Sequence, residues 1–317
     1  MPYNGVSIGL DVGGTRTKGG LVSRDGKILL RVERPTDPTA GTKGILDVGD
    51  ELVRRAGEVG EAPKCVGIGA AGFINAATGS VTFAPNLTYD DPFVADAVRA
   101  RTGLPVVIDN DANAAAWGER AFGVARGLDH VAVLTLGTGI GSGFVIGGRL
   151  LRGATGAGAE LGHTVVDPDG PPCPCGLKGC VEQLSSGGAI GRAGRAAAAR
   201  NPTTSMINFA GSVDNITAED VARAAREFDE EARLIMHEAG RALGIALSNI
   251  ANIFDPQTIV LTGSVVRSGE PFLGAARDQL VLMTNAQRRR PMRLDVTQLG
   301  NDAGIIGAAA LGFDEAR

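Results

Sequence analysis

The sequence predicts an α/β protein of two lobes built by internal duplication, and three observations predict it. At 317 residues the chain outgrows a single hydrophobic core. Apolar strand-like runs alternate with helix-like stretches. One plan also occurs twice: "SIGLDVGGTRTKGGLVSRDGKILL" and "HVAVLTLGTGIGSGFVIGGRLL" each read as an apolar strand, a Gly/Thr turn, a second apolar strand, a tight turn and a third strand. The expected boundaries are 1–118 for a small lobe, with a C-terminal helix (301–317) packing back onto it, and 119–300 for a large lobe, with a cleft between the two.

In the first lobe "VSIGLDV", "GGLVS" and "KILLRVE" are three strands, the last two joined by an Arg-Asp-Gly turn. A helix near 43–59 follows, then the strand "KCVGIGA", a hairpin through "NAATGSV", a helix at 91–102 and the strand "LPVVIDN". The second lobe becomes mostly helical after its opening strands. Ile235, Ala239, Leu243, Leu247, Ile250 and Phe254 recur every three or four residues and mark one face of a long core helix. His237 falls off that face, toward solvent or an interface. "QTIVLTGSVVRSG" reads as a strand, a Gly turn and a helix start, and a last helix rich in Ala and Gly runs from about Asp302 to Gly312. The 47 glycines are spread among apolar segments, which points to tight turns and close backbone approaches instead of a linker.

A net charge of −4 gives no electrostatic case for a nucleic-acid partner. The basic residues cluster only in "QRRRP", which reads as a solvated loop. The N-terminal "MPYNGVSIGLDVGG" has no basic region, and Asp11 cuts its apolar run short, so neither a signal peptide nor a membrane partner is expected and the location is cytoplasmic.

Two Gly/Thr turns, "DVGGTRTKGG" and "LGTGIGSG", follow apolar strands and could offer N–H groups and hydroxyls to phosphate oxygens. Neither fits a Walker or a dinucleotide pattern, and a plain hairpin turn is open for each. Asp109, Asn110 and Asp111 close a strand just before a helix-forming run. Asp111 is a natural helix N-cap, while a carboxylate at the carboxyl end of a strand is also where α/β folds hold ligands. His163, Cys173, Cys175 and Cys180 supply one imidazole and three thiols, the ligand set of a four-coordinate structural zinc site. A disulfide fits poorly, since two of the thiols are one residue apart and their number is odd. A catalytic zinc is disfavoured because four protein ligands leave no position for water. Cys65, in a β-like apolar run, reads as a small core residue. Glu160 and Glu182 flank the metal segment, either to accept hydrogen bonds from hydroxyls or simply to cap and solvate.

Together "LDVGGTRTKGGLV", "DNDANAAAWGE", "TLGTGIGSG", "GAELGH" and "CPCGLKGCVEQ", in this order, resemble the ROK family of bacterial sugar kinases and repressors over about residues 6–313. "AAGFI" with "FAPNL" looks most like its actinobacterial glucokinase branch. The resemblance implies an actin-like or hexokinase-like (ribonuclease H-like) fold closing over ATP, Mg²⁺ and a hexose. It implies Asp111 as general base, and Gly72, Asn86, Asn110, Asp111, Glu160, His163 and Glu182 around the sugar, His163 serving the zinc as well. It implies Asp11, Gly13, Gly14, Thr15, Lys18, Gly137, Thr138, Gly139, Gly263 and Ser264 on the ATP side, and a homo-oligomer, dimer or tetramer. Arg16 stands where the family commonly has Lys, and Tyr89 where it often has Trp.

The function expected is phosphorylation of glucose at O6. The alternatives are a kinase for mannose, fructose, N-acetylmannosamine or N-acetylglucosamine, and a sugar-sensing regulator. The regulator is disfavoured because the first strand begins by Ser7, with no room for a helix-turn-helix before it. Of the two substrates only the sugar is expected to meet Glu182, so Glu182→Gln would raise the Michaelis constant for glucose and leave that for ATP nearly unchanged.

Overall fold

The computed structural model describes residues 5–85, 87–284 and 292–315. Asn86 and the basic run at Arg288, Arg289 and Arg290 lie outside the described residues. In chain order the first half contains β1 (Val6–Val12), β2 (Arg16–Ser23), β3 (Ile28–Pro35), α1 (Gly41–Arg55), β4 (Pro63–Ala70), β5 (Phe73–Asn75), β6 (Ser80–Phe83), α2 (Val94–Thr102), β7 (Val106–Asn110) and α3 (Asp111–Ala121). The second half contains β8 (Val131–Leu136), β9 (Ile140–Ile146), β10 (Arg149–Leu150), α4 (Val181–Ser185), α5 (Gly187–Arg200), α6 (Ser205–Ala210), α7 (Ala218–Arg226), α8 (Glu230–Phe254), β11 (Thr258–Thr262), α9 (Glu270–Met283), β12 (Leu294–Val296) and α10 (Ala303–Glu315).

The duplication is visible in the sheets. One has the order β3-β2-β1-β4-β7 and the other β10-β9-β8-β11-β12, so each half lays down three successive strands and then extends the sheet from its first strand by two later ones. In the first sheet β1 is antiparallel to β2 and parallel to β4. The hairpin β5-β6 stands apart. The chain divides into two compact units, one running through Val133 with Gly143–Ala159 and the stretch from Thr297 onward, the other Leu134–Ser142 with Glu160–Val296. The expected boundary at residue 118 lies inside α3, and the packing of α3 against α10 keeps that helix wholly in the first unit.

That packing explains many of the glycines. Val6, Ile8, Leu10 and Val12 of β1 alternate to one face of the sheet and, with Val66, Ile68 and Ala70 of β4, join Ile45, Val48 and Leu52 of α1 in the core. The intervening positions are small: Ser7 and Gly9 on β1, Cys65, Gly67 and Gly69 on β4. Small residues let the backbone of α10 lie directly on the strands. A methyl group at Gly67 would sit 1.7 Å from the carbonyl oxygen of Ala308, and one at Gly9 would sit 2.0 Å from that of Ile305. Cys65 is buried there as a core residue, its thiol 3.4 Å from the Ser7 hydroxyl.

In the second unit α8 starts at its cap Asp229, whose carboxylate accepts from Ala232 N–H at 3.0 Å. Ala239, Leu243, Leu247 and Ile250 are buried as the spacing predicts, while Ile235 and Phe254 are half-buried and Met236 fills the core beside them. His237 is exposed. The helix start expected directly after Gly263 is instead a 3₁₀ turn over Ser264–Ser268, and Gly269, at φ +77°, separates it from α9. Among the described residues no helix is long and apolar enough to cross a membrane.

Candidate active site

The end of β7 places two adjacent carboxylates in different circumstances. Asp109 is buried at 2 % exposure and saturated: Arg152 Nε donates to it at 2.7 Å, Asn113 Nδ2 at 2.9 Å and the Asn110 N–H at 2.8 Å. Asp111 is not the helix cap that its sequence position suggests. Asn110 is the cap, its Oδ1 accepting from the N–H groups of Ala112 at 2.9 Å and Asn113 at 3.2 Å, and Asp111 is the first residue of α3. Asp111 Oδ1 accepts from Ala112 N–H at 2.8 Å, no hydrogen bond to Oδ2 is seen among the described residues, and part of the side chain stays open. Burial pushes its pKa above the usual carboxylate range, with the Ala112 hydrogen bond opposing.

Asn110 Nδ2 donates to the Gly72 carbonyl at 3.1 Å, which leaves one amide hydrogen for a ligand. Gly72 is at φ +121°, and a side chain there would collide with the Phe83 carbonyl, so the turn requires glycine. Asp11, at the end of β1, has its pKa raised to about 6 by burial and by the Asp111 carboxylate, against the opposing charge of Lys18 at 3.9 Å. The turn that follows is tied off by Gly13 N–H to the Arg16 carbonyl at 3.0 Å and by the Thr36 hydroxyl to the Gly13 carbonyl at 2.8 Å. Gly14 and Thr15 are exposed. Arg16 pairs with Glu33 at 2.9 Å, and the Tyr89 hydroxyl donates to the Ala71 carbonyl at 3.1 Å.

The second Gly/Thr turn, Gly137–Gly139, joins β8 to β9 and borders a cavity of about 530 Å³ within the second unit. Its carbonyls are turned onto the start of α5: Gly187 N–H donates to Gly137 O at 2.8 Å and Gly188 N–H to Thr138 O at 3.1 Å. The cavity is completed by Ser264, by the first turn of α7 and by Arg195, Arg226 and Arg267, a cationic lining suited to phosphate. Gly263, at φ +98°, lets the chain leave β11 close to Leu136, whose carbonyl a side chain would strike at 2.4 Å. The helix start at Gly187 and these arginines were not anticipated from the sequence. The run "SSGG" after the Cys segment, a Ser cap before two glycines, carried the signal.

His163, Cys173, Cys175 and Cys180 do converge, their ligand atoms all within 4.8 Å of one another. Cys175 and Cys180 sulfurs are 3.7 Å apart and His163 Nδ1 is 3.6 Å from the Cys173 sulfur. A tetrahedron with metal–sulfur bonds of about 2.3 Å has edges of about 3.8 Å, so the donor set fits zinc. The Leu177 N–H holds the Cys175 thiol below its ordinary range. Gly162 brings His163 against β9, since a side chain at 162 would meet the Ile140 carbonyl at 2.2 Å. Glu160 is exposed just before the 3₁₀ turn Leu161–His163. Glu182, in the first turn of α4, is more occupied than expected: its Oε2 accepts from the Ile140 N–H at 2.9 Å, at the edge of the second Gly/Thr turn. That bond gives Glu182 a backbone partner besides the role toward the sugar expected of it.

A family model, described as the ROK family, matches residues 7–315. The glucokinase of Streptomyces coelicolor is 39 % identical over 313 residues, covering 97 % of each chain. The crystal structure of a ROK family glucokinase from Streptomyces griseus in complex with glucose and AMPPNP is 41 % identical, with a TM-score of 0.85 over 98 % of this chain and 100 % of that one. A ROK hexokinase from Thermus thermophilus is 32 % identical, with a TM-score of 0.80 over 98 % of both chains. With the duplicated sheets and the converging Cys₃His set, these likenesses place the chain in the ROK family.

Proposed function

We propose that this protein is an ATP-dependent glucokinase that phosphorylates glucose at O6, with Asp111 as the general base. The observation that carries the reading is the contrast at the end of β7, where Asp109 is saturated and Asn110 does the capping, leaving the Asp111 carboxylate desolvated, partly open and free of a cationic partner. Burial makes that carboxylate a stronger base than one in water. As O6 attacks the γ-phosphorus and the bond to the β-phosphate oxygen breaks, Asp111 takes the hydroxyl proton and ADP leaves. The second amide hydrogen of Asn110 donates to a sugar hydroxyl. Glu160 and Glu182 accept from hydroxyls, and His163, with Nδ1 among the sulfurs, offers Nε2; Gly72 and Asn86 complete the sugar set.

On the nucleotide side the turns at Gly13, Gly14 and Thr15 and at Gly137, Thr138 and Gly139 give N–H groups to phosphate, with Gly263 and Ser264 toward the adenosine. Mg²⁺ bound with ATP would neutralise phosphate charge, with Asp11, beside Lys18, the carboxylate for its water shell. Zinc held by His163, Cys173, Cys175 and Cys180 would be structural, fixing the loop between Glu160 and Glu182. Asp111→Asn tests the proposal. The cap belongs to Asn110, so the fold should persist while kcat falls about 10²-fold or more. The wild-type kcat/KM should fall in acid with an apparent pKa above the ordinary carboxylate value, because the base must be ionised and its pKa is raised. Near-wild-type turnover in Asp111→Asn would remove the base from the account.

A further inference from the structure

We propose that the segment following Cys180 is a clamp on the nucleotide loop, and that Glu182 is its positioning residue, so that Glu182 governs nucleotide affinity independently of sugar. The inference rests on the kinase reading for what the loop binds. Three hydrogen bonds hold Gly137–Gly139 and its exit: Gly187 N–H to Gly137 O, Gly188 N–H to Thr138 O, and Ile140 N–H to Glu182 Oε2. All three partners lie within residues 182–188, immediately after the last cysteine.

That segment is itself rigidly placed. Val181 N–H donates to the Thr164 carbonyl at 3.0 Å, the Ser185 hydroxyl donates to the Ala239 carbonyl of α8 at 2.8 Å, and the Ser186 hydroxyl caps α5 through Ala189 N–H at 3.1 Å. With its carbonyls engaged by Gly187 and Gly188, which line the same cavity, the loop keeps the N–H groups of Thr138 and Gly139 unpartnered among the described residues, with Thr138 on the cavity wall. The third bond differs from the other two because a side chain makes it, and a charged acceptor makes it stronger than a backbone pair. Gly139 shows how closely the carboxylate sits: a methyl group there would lie 2.4 Å from Glu182 Oε2 and near no other residue. A glutamate serving the sugar alone would have no reason to press on that glycine.

The test is titration calorimetry of Mg²⁺-AMPPNP without sugar, on folded protein checked by circular dichroism. Glu182→Gln should weaken binding about tenfold, the scale of exchanging a charge-assisted hydrogen bond for a neutral one. Gly139→Ala should weaken it similarly by displacing the carboxylate, and Glu182→Ser combined with Gly139→Ala should be no weaker than Glu182→Ser alone, because the added methyl group then meets nothing. Nucleotide affinities unchanged within twofold in Glu182→Gln and Gly139→Ala would overturn the clamp while leaving the kinase reading intact. Wild-type protein that binds no AMPPNP would overturn both.

Discussion

Replacing Asp11 with asparagine should stabilise the ligand-free protein at neutral pH while lowering its activity. Asp11 has a folded-state pKa of about 6 against an ordinary 3.8, raised first by burial and then by the Asp111 carboxylate, with Lys18 opposing. Its side chain keeps 21 % of its exposure, so solvent screens it only in part. A raised carboxylate pKa means that the folded state holds a proton which the unfolded chain has already released. The contribution of Asp11 to stability is therefore fully present below about pH 3.8 and is lost as the pH rises through about 6. A gap of about two pH units, at 1.36 kcal/mol each, amounts to about 3 kcal/mol. Asparagine keeps the shape and carries no charge, so urea denaturation should show Asp11→Asn more stable than wild type by up to about 3 kcal/mol at pH 7.5 and nearly equal at pH 3.5. Turnover should fall, because the carboxylate that destabilises the empty site is the one proposed to serve the hydrated metal. A variant no more stable than wild type at pH 7.5 would refute the reasoning, since Asp11 would then be neither desolvated nor opposed by Asp111.

Two further outcomes follow from the packing and the Cys/His cluster. Gly67→Ala should cost about 3 kcal/mol or more, because its methyl group would fall 1.7 Å from a backbone oxygen that cannot rotate away, whereas Gly57→Ala, with nothing within 4 Å, should leave the melting temperature unchanged or slightly raised. Elemental analysis should find one zinc per chain in active protein and almost none in Cys175→Ala, whose affinity for glucose should fall as the loop bearing Glu160 and Glu182 loosens; active protein without metal would contradict this.

The strands, the duplicated plan and the Cys₃His cluster were legible because each depends on local pattern: alternation along β1 and β4, a repeated turn chemistry, and a ligand set confined to eighteen residues. The capping assignment was not, because Asn110 and Asp111 are both good caps and only the backbone decides which of two neighbours precedes the first helical turn. The cavity beside Gly137–Gly139 was half legible. Its Gly/Thr turn announced itself, but α5 with Gly187, Gly188 and Arg195, α7 with Arg226 and the 3₁₀ turn with Arg267 are separate elements whose meeting is fixed by tertiary packing. The bond from Glu182 to Ile140 spans 42 residues and had no local signature.

The central claim is the substrate, and a coupled ADP-release assay with ATP and Mg²⁺ across a hexose panel tests it most directly. A site that pairs desolvated polar groups with each ring hydroxyl loses roughly 1 to 3 kcal/mol for every neutral partner left unpaired, and more for a carboxylate. Glucose should therefore be phosphorylated best, mannose more weakly and 2-acetamido sugars more weakly still, with the product identified as the 6-phosphate. Efficient turnover of N-acetylmannosamine or fructose with poor use of glucose would contradict the glucokinase assignment.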